Sequence, residues 1–214
     1  MIKVSYVSHM GDDLTIVNAA RVSFNKSSDT LNDKDKKLIE YLAKHNHMSP
    51  FEHCTITVIV ACPLYIRSQI HRHRTFAYNE VSRRYTSEDL EFYLPTVDDI
   101  RQQSKSNRQA SDGPVDIEVA EIVRDMMSES HLASWMAYEK LLEAGVCREQ
   151  ARGVLPQNLM TKFYMTGNLR NFAHFLKLRT HEGAQKEVRE VAAQLQAILE
   201  DKYPVALAAL MRVP

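Results

Sequence analysis

Arginine is densest between Arg72 and Tyr85, where the chain reads RHRTFAYNEVSRRY. These 14 positions hold four arginines, a histidine, a glutamate, an asparagine, a serine and two tyrosines. A planar guanidinium offers a phosphate two parallel, charge-assisted hydrogen bonds, so this composition suits an anionic ligand. Glu80 is the only acid in the segment, and no acid stands four positions either side of Arg72 or Arg74. The arginines therefore lack the local partners expected of a solvated, ion-paired helix face. On the preceding helix, Gln69, Arg72 and His73 stand at i, i+3 and i+4, so they share one face. Further along, Arg148, Glu149 and Arg152 fall on one short helix, and Arg170, His174 and Arg179 on another. From the residues alone, the chemistry is that of an arginine-lined site for an anionic small molecule.

Other reactive side chains carry weaker signals. His45, His47, His53, His71 and His73 invite a metal, but the two H-x-H pairs are too short for paired ligands on a helix. Few carboxylates lie at ligand spacing, so these are expected to be hydrogen-bonding histidines, with no metal. Cys54 and Cys62 flank or lie in an apolar run and read as core residues. Cys147 stands near a helix start beside Arg148, a setting that lowers a thiol pKa, yet no local nucleophile pattern surrounds it. The three cysteines are odd in number and contain no C-x-x-C pair, which fits a reduced, cytoplasmic setting. With six glycines there is no G-x-G-x-x-G or Walker-type loop, so neither a Rossmann nor a P-loop nucleotide site is expected.

The elements that must position these residues follow from periodicity and punctuation. Ile2 to Val7 reads as a first strand, and Thr55 to Ala61 as a buried one. Asn32 can cap a helix carrying Asp33 and Asp35 in its first turn, which ends near His45–Pro50. Pro63 fits the first position of a helix running toward Arg74. Thr75 to Pro95 is irregular, and Gln102–Pro114 has the composition of a mobile surface loop. A long helix follows, with Val119, Ile122, Val123 and Met126 on one face and Gly145 as its stop. A short helix from Cys147 to Leu155 ends before Pro156, and Leu159 to Thr166 suits a strand. Asn168 then caps a helix with Leu169, Phe172, Ala173 and Leu176 at helical spacing, and another helix covers Ala184 to Asp201. Few strands among several long helices give an α+β class, and 214 residues suit a single domain.

Whole-chain charge limits the partners. Lys plus Arg (27) equals Asp plus Glu (27), so no broad basic face is expected to draw in nucleic acid. The N-terminal sequence does not read as a signal peptide, and no apolar run is long enough for a membrane span.

The 14-residue segment resembles the signature RHRxxSxNExSxRY of flavin-dependent thymidylate synthases. Arg72, His73, Arg74, Asn79, Glu80, Ser82, Arg84 and Tyr85 match it, whereas Ala77 replaces the usual serine. The resemblance extends through NAARVSF (Asn18–Phe24), HNHMSPFEH (His45–His53), EFYLP (Glu91–Pro95), REQARGVLP (Arg148–Pro156) and GNLRNFAHFLKLR (Gly167–Arg179), in the family's order. It covers essentially the whole chain as one domain of mixed or antiparallel sheet with long helices.

That resemblance implies a homotetramer whose active sites each draw on more than one subunit. It implies FAD bound beside Ser23, His47, Ser49, Glu52, Arg72, His73, Arg74, Thr75, Asn79, Glu80, Asn168, Arg170 and His174. It implies dUMP held by Gln69, Arg72, Glu80, Ser82, Arg83, Arg84, Arg152 and Arg179, with the phosphate at Gln69 and Ser82–Arg84. The implied reaction passes the methylene of methylenetetrahydrofolate to dUMP, with the reduced flavin as hydride donor and NADPH regenerating it. Arg179 matches the arginine that favours the N3-ionised uracil, which makes it the implied catalytic residue. No cysteine nucleophile is required. A related one-carbon transfer to another pyrimidine nucleotide, or one stopping at hydroxymethyl, is the alternative within the class. A nucleic-acid surface and a metal-dependent hydrolase are the alternatives outside it.

Overall fold

Asn32 begins its helix as its sequence predicts. Its side chain accepts from the backbone N–H groups of Lys34 and Asp35, and the Asp35 carboxylate accepts from the Asn32 N–H. This reciprocal capping box satisfies donors that a helix start otherwise leaves open. The computed structural model describes residues 1–213. In chain order, the strands are β1 (Lys3–Met10), β2 (Thr55–Pro63), β3 (Ala77–Glu80), β4 (Arg101–Gln103), β5 (Ser111–Pro114) and β6 (Met160–Asn168). The helices are α1 (Asp13–Arg21), α2 (Asp33–Lys44), α3 (Leu64–Ile70), α4 (Ile117–Glu143), α5 (Arg148–Ala151), α6 (Leu169–Arg179), α7 (Lys186–Lys202) and α8 (Pro204–Arg212). Four strands form a sheet in the order β1-β2-β6-β3, and β4 pairs antiparallel with β5. The mixture of helix and antiparallel sheet is the α+β class expected.

The chain divides into two compact units. The larger comprises Lys3–Val60, Arg72–Asn79 and Phe163–Pro214. Its core is apolar and closely filled, with Ile16, Ile39, Phe51, Val58, Phe172, Phe175, Val188 and Leu195 excluded from solvent. Buried Asp13 ties its last helix down by accepting from the N–H groups of Val205 and Ala206. Tyr203 bridges two strands by donating toward the carbonyls of Met10 and Thr55, at 3.1 and 3.0 Å. The smaller unit comprises Met1–Ile2, Ala61–His71 and Glu80–Lys162, and buries Ile66, Ile70, Ile100, Ala120, Tyr138 and Leu159.

Several local expectations are corrected. Pro63 is the last residue of β2 and caps α3 from outside, so the helix begins at Leu64 rather than at the proline. That helix stops at Ile70, with His71 as its C-cap, and does not reach Arg74. Gln69, Arg72 and His73 therefore do not share one helical face. The chain leaves the helix because His73 is wanted elsewhere: its ring packs edge-on against Phe175 at 4.7 Å, and its carbonyl accepts from the Tyr78 hydroxyl.

The irregular reading of residues 75–95 missed β3, whose few residues give too short a period to see. Gln102–Pro114 contains β5 and most of β4, with Gln103 opposite Ser111 and Gln103 Nε2 donating to the Ala110 carbonyl. The predicted short helix after Cys147 is four residues of α followed by a 3-10 turn at Arg152–Val154. Helices α1 and α8 were not anticipated. The first begins with an Asp12–Thr15 capping box, a local signal at its N-terminus.

Gly145, with φ of +85°, ends α4 as expected, since few residues other than glycine adopt that conformation cheaply. The apolar stripe of α4, however, is not a core face. Ile122 and Met126 are more than three-fifths exposed, and Trp135 and Met136 also face solvent.

Candidate functional site

The smaller unit holds an open cleft with a cavity volume of about 240 Å³. Its walls carry Arg67 and Leu64 from α3, Glu80 from the end of β3, Ser82 and Arg83 just beyond it, Arg152, and Thr161 from β6. Strand β3 sits at the sheet edge beside β6, and the Val81 N–H continues that pairing by donating to the Lys162 carbonyl at 3.0 Å. This pairing delivers the Glu80–Arg83 stretch to the cleft in a defined register.

Charge there is unevenly matched. Glu80 pairs with Arg67 at 3.2 Å and accepts from the Thr161 hydroxyl at 2.7 Å. Arg152 is exposed, and its side chain makes no hydrogen bond or ion pair among the described residues. Arg84 reaches Glu149 at 3.3 Å. Arg83 donates instead to the carbonyls of Glu88 and Asp89, at 2.5 and 3.2 Å. Its guanidinium is thus a clasp closing residues 83–89 into a loop, and not a free cation. An acyclic carbonyl clasp of this kind cannot be read from charge type alone.

The larger unit holds the second group. Arg72 and Arg74 are exposed and likewise make no ion pair or hydrogen bond among the described residues. Thr75 accepts at its carbonyl from Asn171 Nδ2, at 3.2 Å. Gly167 lies against the Phe76 ring so closely that a Cβ there would overlap it, which explains a glycine inside β6. Asn168 caps α6 by accepting from the Asn171 N–H, and Arg170 in the first turn pairs with Glu52 at 2.5 Å. His174 and Arg179 follow on the same helix, in keeping with the sequence pattern. Ser23, His47, Ser49, Asn79 and His174 belong to this unit as well; all five are exposed.

His73 and Arg179 are joined directly. The Arg179 Nε donates to His73 Nε2 at 3.0 Å, so the ring is neutral and carries its proton on Nδ1. Burial first, then the charges of Arg179 and His174, hold the His73 pKa down at about 4. The unfolded ring titrates near 6.5. Between those values the unfolded chain binds the extra proton, so this group's contribution to stability is complete above pH 6.5 and is lost as pH falls toward 4. Urea unfolding of the protein is expected to show this loss, at up to about 1.4 kcal/mol per pH unit. His73→Asn should flatten the slope in that window. An unchanged slope would mean that His73 is not the titrating group.

The sequence reading missed Arg67 and Thr161. Arg67 lies on a helix with no acid at i±4, and its carboxylate partner comes from another strand, so only folding reveals the pair. The buried thiols of Cys54 and Cys62 have their pKa values pushed up to about 12, chiefly by burial, which leaves them protonated and unsuited to nucleophilic attack.

The fold and these two groups define a protein of mixed helix and sheet that offers guanidinium groups to small anions without a glycine-rich phosphate loop. The sequence pattern of the family described as "Thymidylate synthase complementing protein" matches residues 5–205. A flavin-dependent thymidylate synthase of Thermus thermophilus is 44% identical over 96% of this chain and 74% of its own length. One from Thermotoga neapolitana is 41% identical over 94% of this chain and 87% of its own. Among solved structures, a UMP/dUMP methylase of Streptomyces cacaoi bound with 5-Br dUMP is 33% identical with a TM-score of 0.90, covering 100% of this chain and 96% of that one. The chain belongs to the flavin-dependent thymidylate synthase family.

Proposed function

We propose that this protein methylates dUMP to dTMP with bound FAD, taking the carbon from methylenetetrahydrofolate and reducing equivalents from NADPH. The observation that carries the reading is the open polar cleft with the unpartnered Arg152 side chain among its walls together with Ser82, in a chain whose signature runs from Arg72 to Tyr85. Ser82 and Arg152 bind the phosphate, and Glu80 supplies a carboxylate acceptor. Arg72 and Arg74 are the cations available to the FAD phosphates. Their lack of protein partners fits that group, as does the open set of polar residues around Asn168 and Arg170. When bound, the flavin supplies the hydride. Arg179 stabilises the electron-rich uracil, and the protein otherwise orients the reactants and excludes water. Since Cys54 and Cys62 stay protonated, no thiolate attack on the pyrimidine is needed from them.

We take the functional form to be a cytoplasmic homotetramer. Support comes from the exposed apolar side chains of α4 that share one face, among them Val119, Ile122 and Met126. A stripe of that extent is costly in water and suits contact with a second copy. Among the described residues, no helix is long and apolar enough to cross a membrane.

The direct test is the absorption spectrum of the purified protein before and after dithionite, followed by NADPH oxidation with and without dUMP. The expected result is a flavin spectrum that bleaches on reduction, and oxidation that accelerates with dUMP. A colourless protein that takes up no added FAD would reject the proposal. Mass analysis of the products from dUMP and UMP separates dTMP formation from the hydroxymethyl and ribonucleotide alternatives.

A further inference from the structure

Glu80 has its two oxygens in different situations. The Thr161 hydroxyl donates to Oε1 at 2.7 Å and the Arg67 Nε lies 3.2 Å from the same oxygen as an ion pair without hydrogen-bond geometry, whereas Oε2 makes no hydrogen bond or ion pair among the described residues. All three side chains line the same cleft. Thr161 is buried on β6 and Arg67 is part-buried on α3, so Glu80 is gripped from two elements that do not otherwise depend on it.

We propose that Arg67 and Thr161 are positioning residues of the substrate cleft, fixing one oxygen of Glu80 so that the other is aimed at a hydrogen-bond donor of the bound nucleotide. The inference rests on the reading of the cleft as the dUMP site. A lone carboxylate beside Ser82 and Arg152 is free to swing toward the nearest cation, and pairing with Arg152 would cancel the charge meant for the phosphate. The grip prevents this in two ways. Arg67 supplies Glu80 with a cation of its own, and the short hydrogen bond from Thr161 sets the carboxylate plane. Because both partners hold the same oxygen, neither consumes the acceptor left for the ligand. The carboxylate is thereby oriented before the nucleotide arrives, which removes part of the ordering cost of binding.

The test uses the flavin-loaded protein and dUMP as the probe. Thr161→Val keeps side-chain volume while removing the donor, and Arg67→Met keeps much of the stem while removing the charge. Each is expected to weaken dUMP binding about tenfold in calorimetry, the scale of one hydrogen bond to a charged group. KM for dUMP should rise with a smaller change in kcat, and the flavin content and thermal midpoint should stay near those of the parent. Thr161→Ser and Arg67→Lys, which restore a donor or a charge, should recover most of the affinity. A merely structural role would lower the thermal midpoint in step with affinity and would show no such recovery.

Unchanged dUMP affinity in both Thr161→Val and Arg67→Met overturns the inference, and so does loss of affinity that tracks loss of flavin. If the unaltered, flavin-loaded protein itself binds no dUMP, it is the reading of the cleft that fails, a distinct result.

Discussion

Arg179→Ala is expected to lower the rate of dTMP formation by about 10²- to 10³-fold while the protein keeps its flavin. The magnitude is that of removing one preorganised group aimed at charge that develops in the transition state. The expectation rests on the geometry around this arginine. It is the last residue of α6, and its Nε is spent on His73 Nε2 at 3.0 Å, which fixes the direction of the guanidinium. His73 is in turn held by the ring of Phe175 and by the Tyr78 hydroxyl at its carbonyl. Because His73 is neutral near pH 7, it accepts this hydrogen bond without repelling the cation. Partial burial also lowers the Arg179 pKa from its ordinary value, though a guanidinium stays charged at any pH of interest. Arg179→Lys should recover little, since an ammonium is a point charge that cannot contact His73 and the pyrimidine in the same fork. The check is a pair of measurements on each variant: single-turnover dTMP formation, and flavin absorbance per protein. Equal loss of both would show that Arg179 serves flavin retention and not the uracil.

The second large effect is expected at Arg152. Replacement by alanine should raise the dissociation constant for dUMP by about ten- to a hundredfold, the value of one charge-assisted phosphate contact. Stability should be nearly unaffected, because the Arg152 side chain has no hydrogen-bond or ion-pair partner among the described residues to lose, and alanine keeps the backbone bonds. It also follows a one-turn helix, so few backbone contacts depend on it. Deoxyuridine is the control: lacking the phosphate, it should bind the parent and Arg152→Ala with similar affinity. If the variant weakens both ligands alike, Arg152 shapes the cleft rather than neutralising the anion. Arg83→Ala makes a useful contrast, since its guanidinium already closes the 83–89 loop through the Glu88 and Asp89 carbonyls. Its replacement should act through loop order, with losses that depend little on whether the ligand carries a phosphate.

The two positions illustrate a general difference between arginines of similar appearance in a sequence. Arg83, Arg84, Arg152 and Arg179 all stand in segments that resemble family blocks. In the structure, one clasps carbonyls, one pairs with Glu149, one is unpartnered, and one is oriented by a histidine. Their effects on catalysis and binding should differ accordingly.

The sequence by itself determined the elements whose signals are local. Asn32 and Asp35 specify a capping box, Thr55 to Ala61 a buried strand, Asn168 the start of α6, and Gly145 the end of α4, because each depends on residues within a turn or two. Its motif also pointed to the family. Only the tertiary structure decided where α3 stops, because His73 is drawn to Phe175 by packing that no local rule contains. It alone paired Arg67 and Thr161 with Glu80, which come from a helix and two neighbouring strands. It alone left the apolar stripe of α4 facing outward, since periodicity reports that a face is apolar without saying what covers it. Local order is written in short-range hydrogen bonding and steric preference, whereas the partners of a charge or an apolar face are chosen by chain segments far away in sequence.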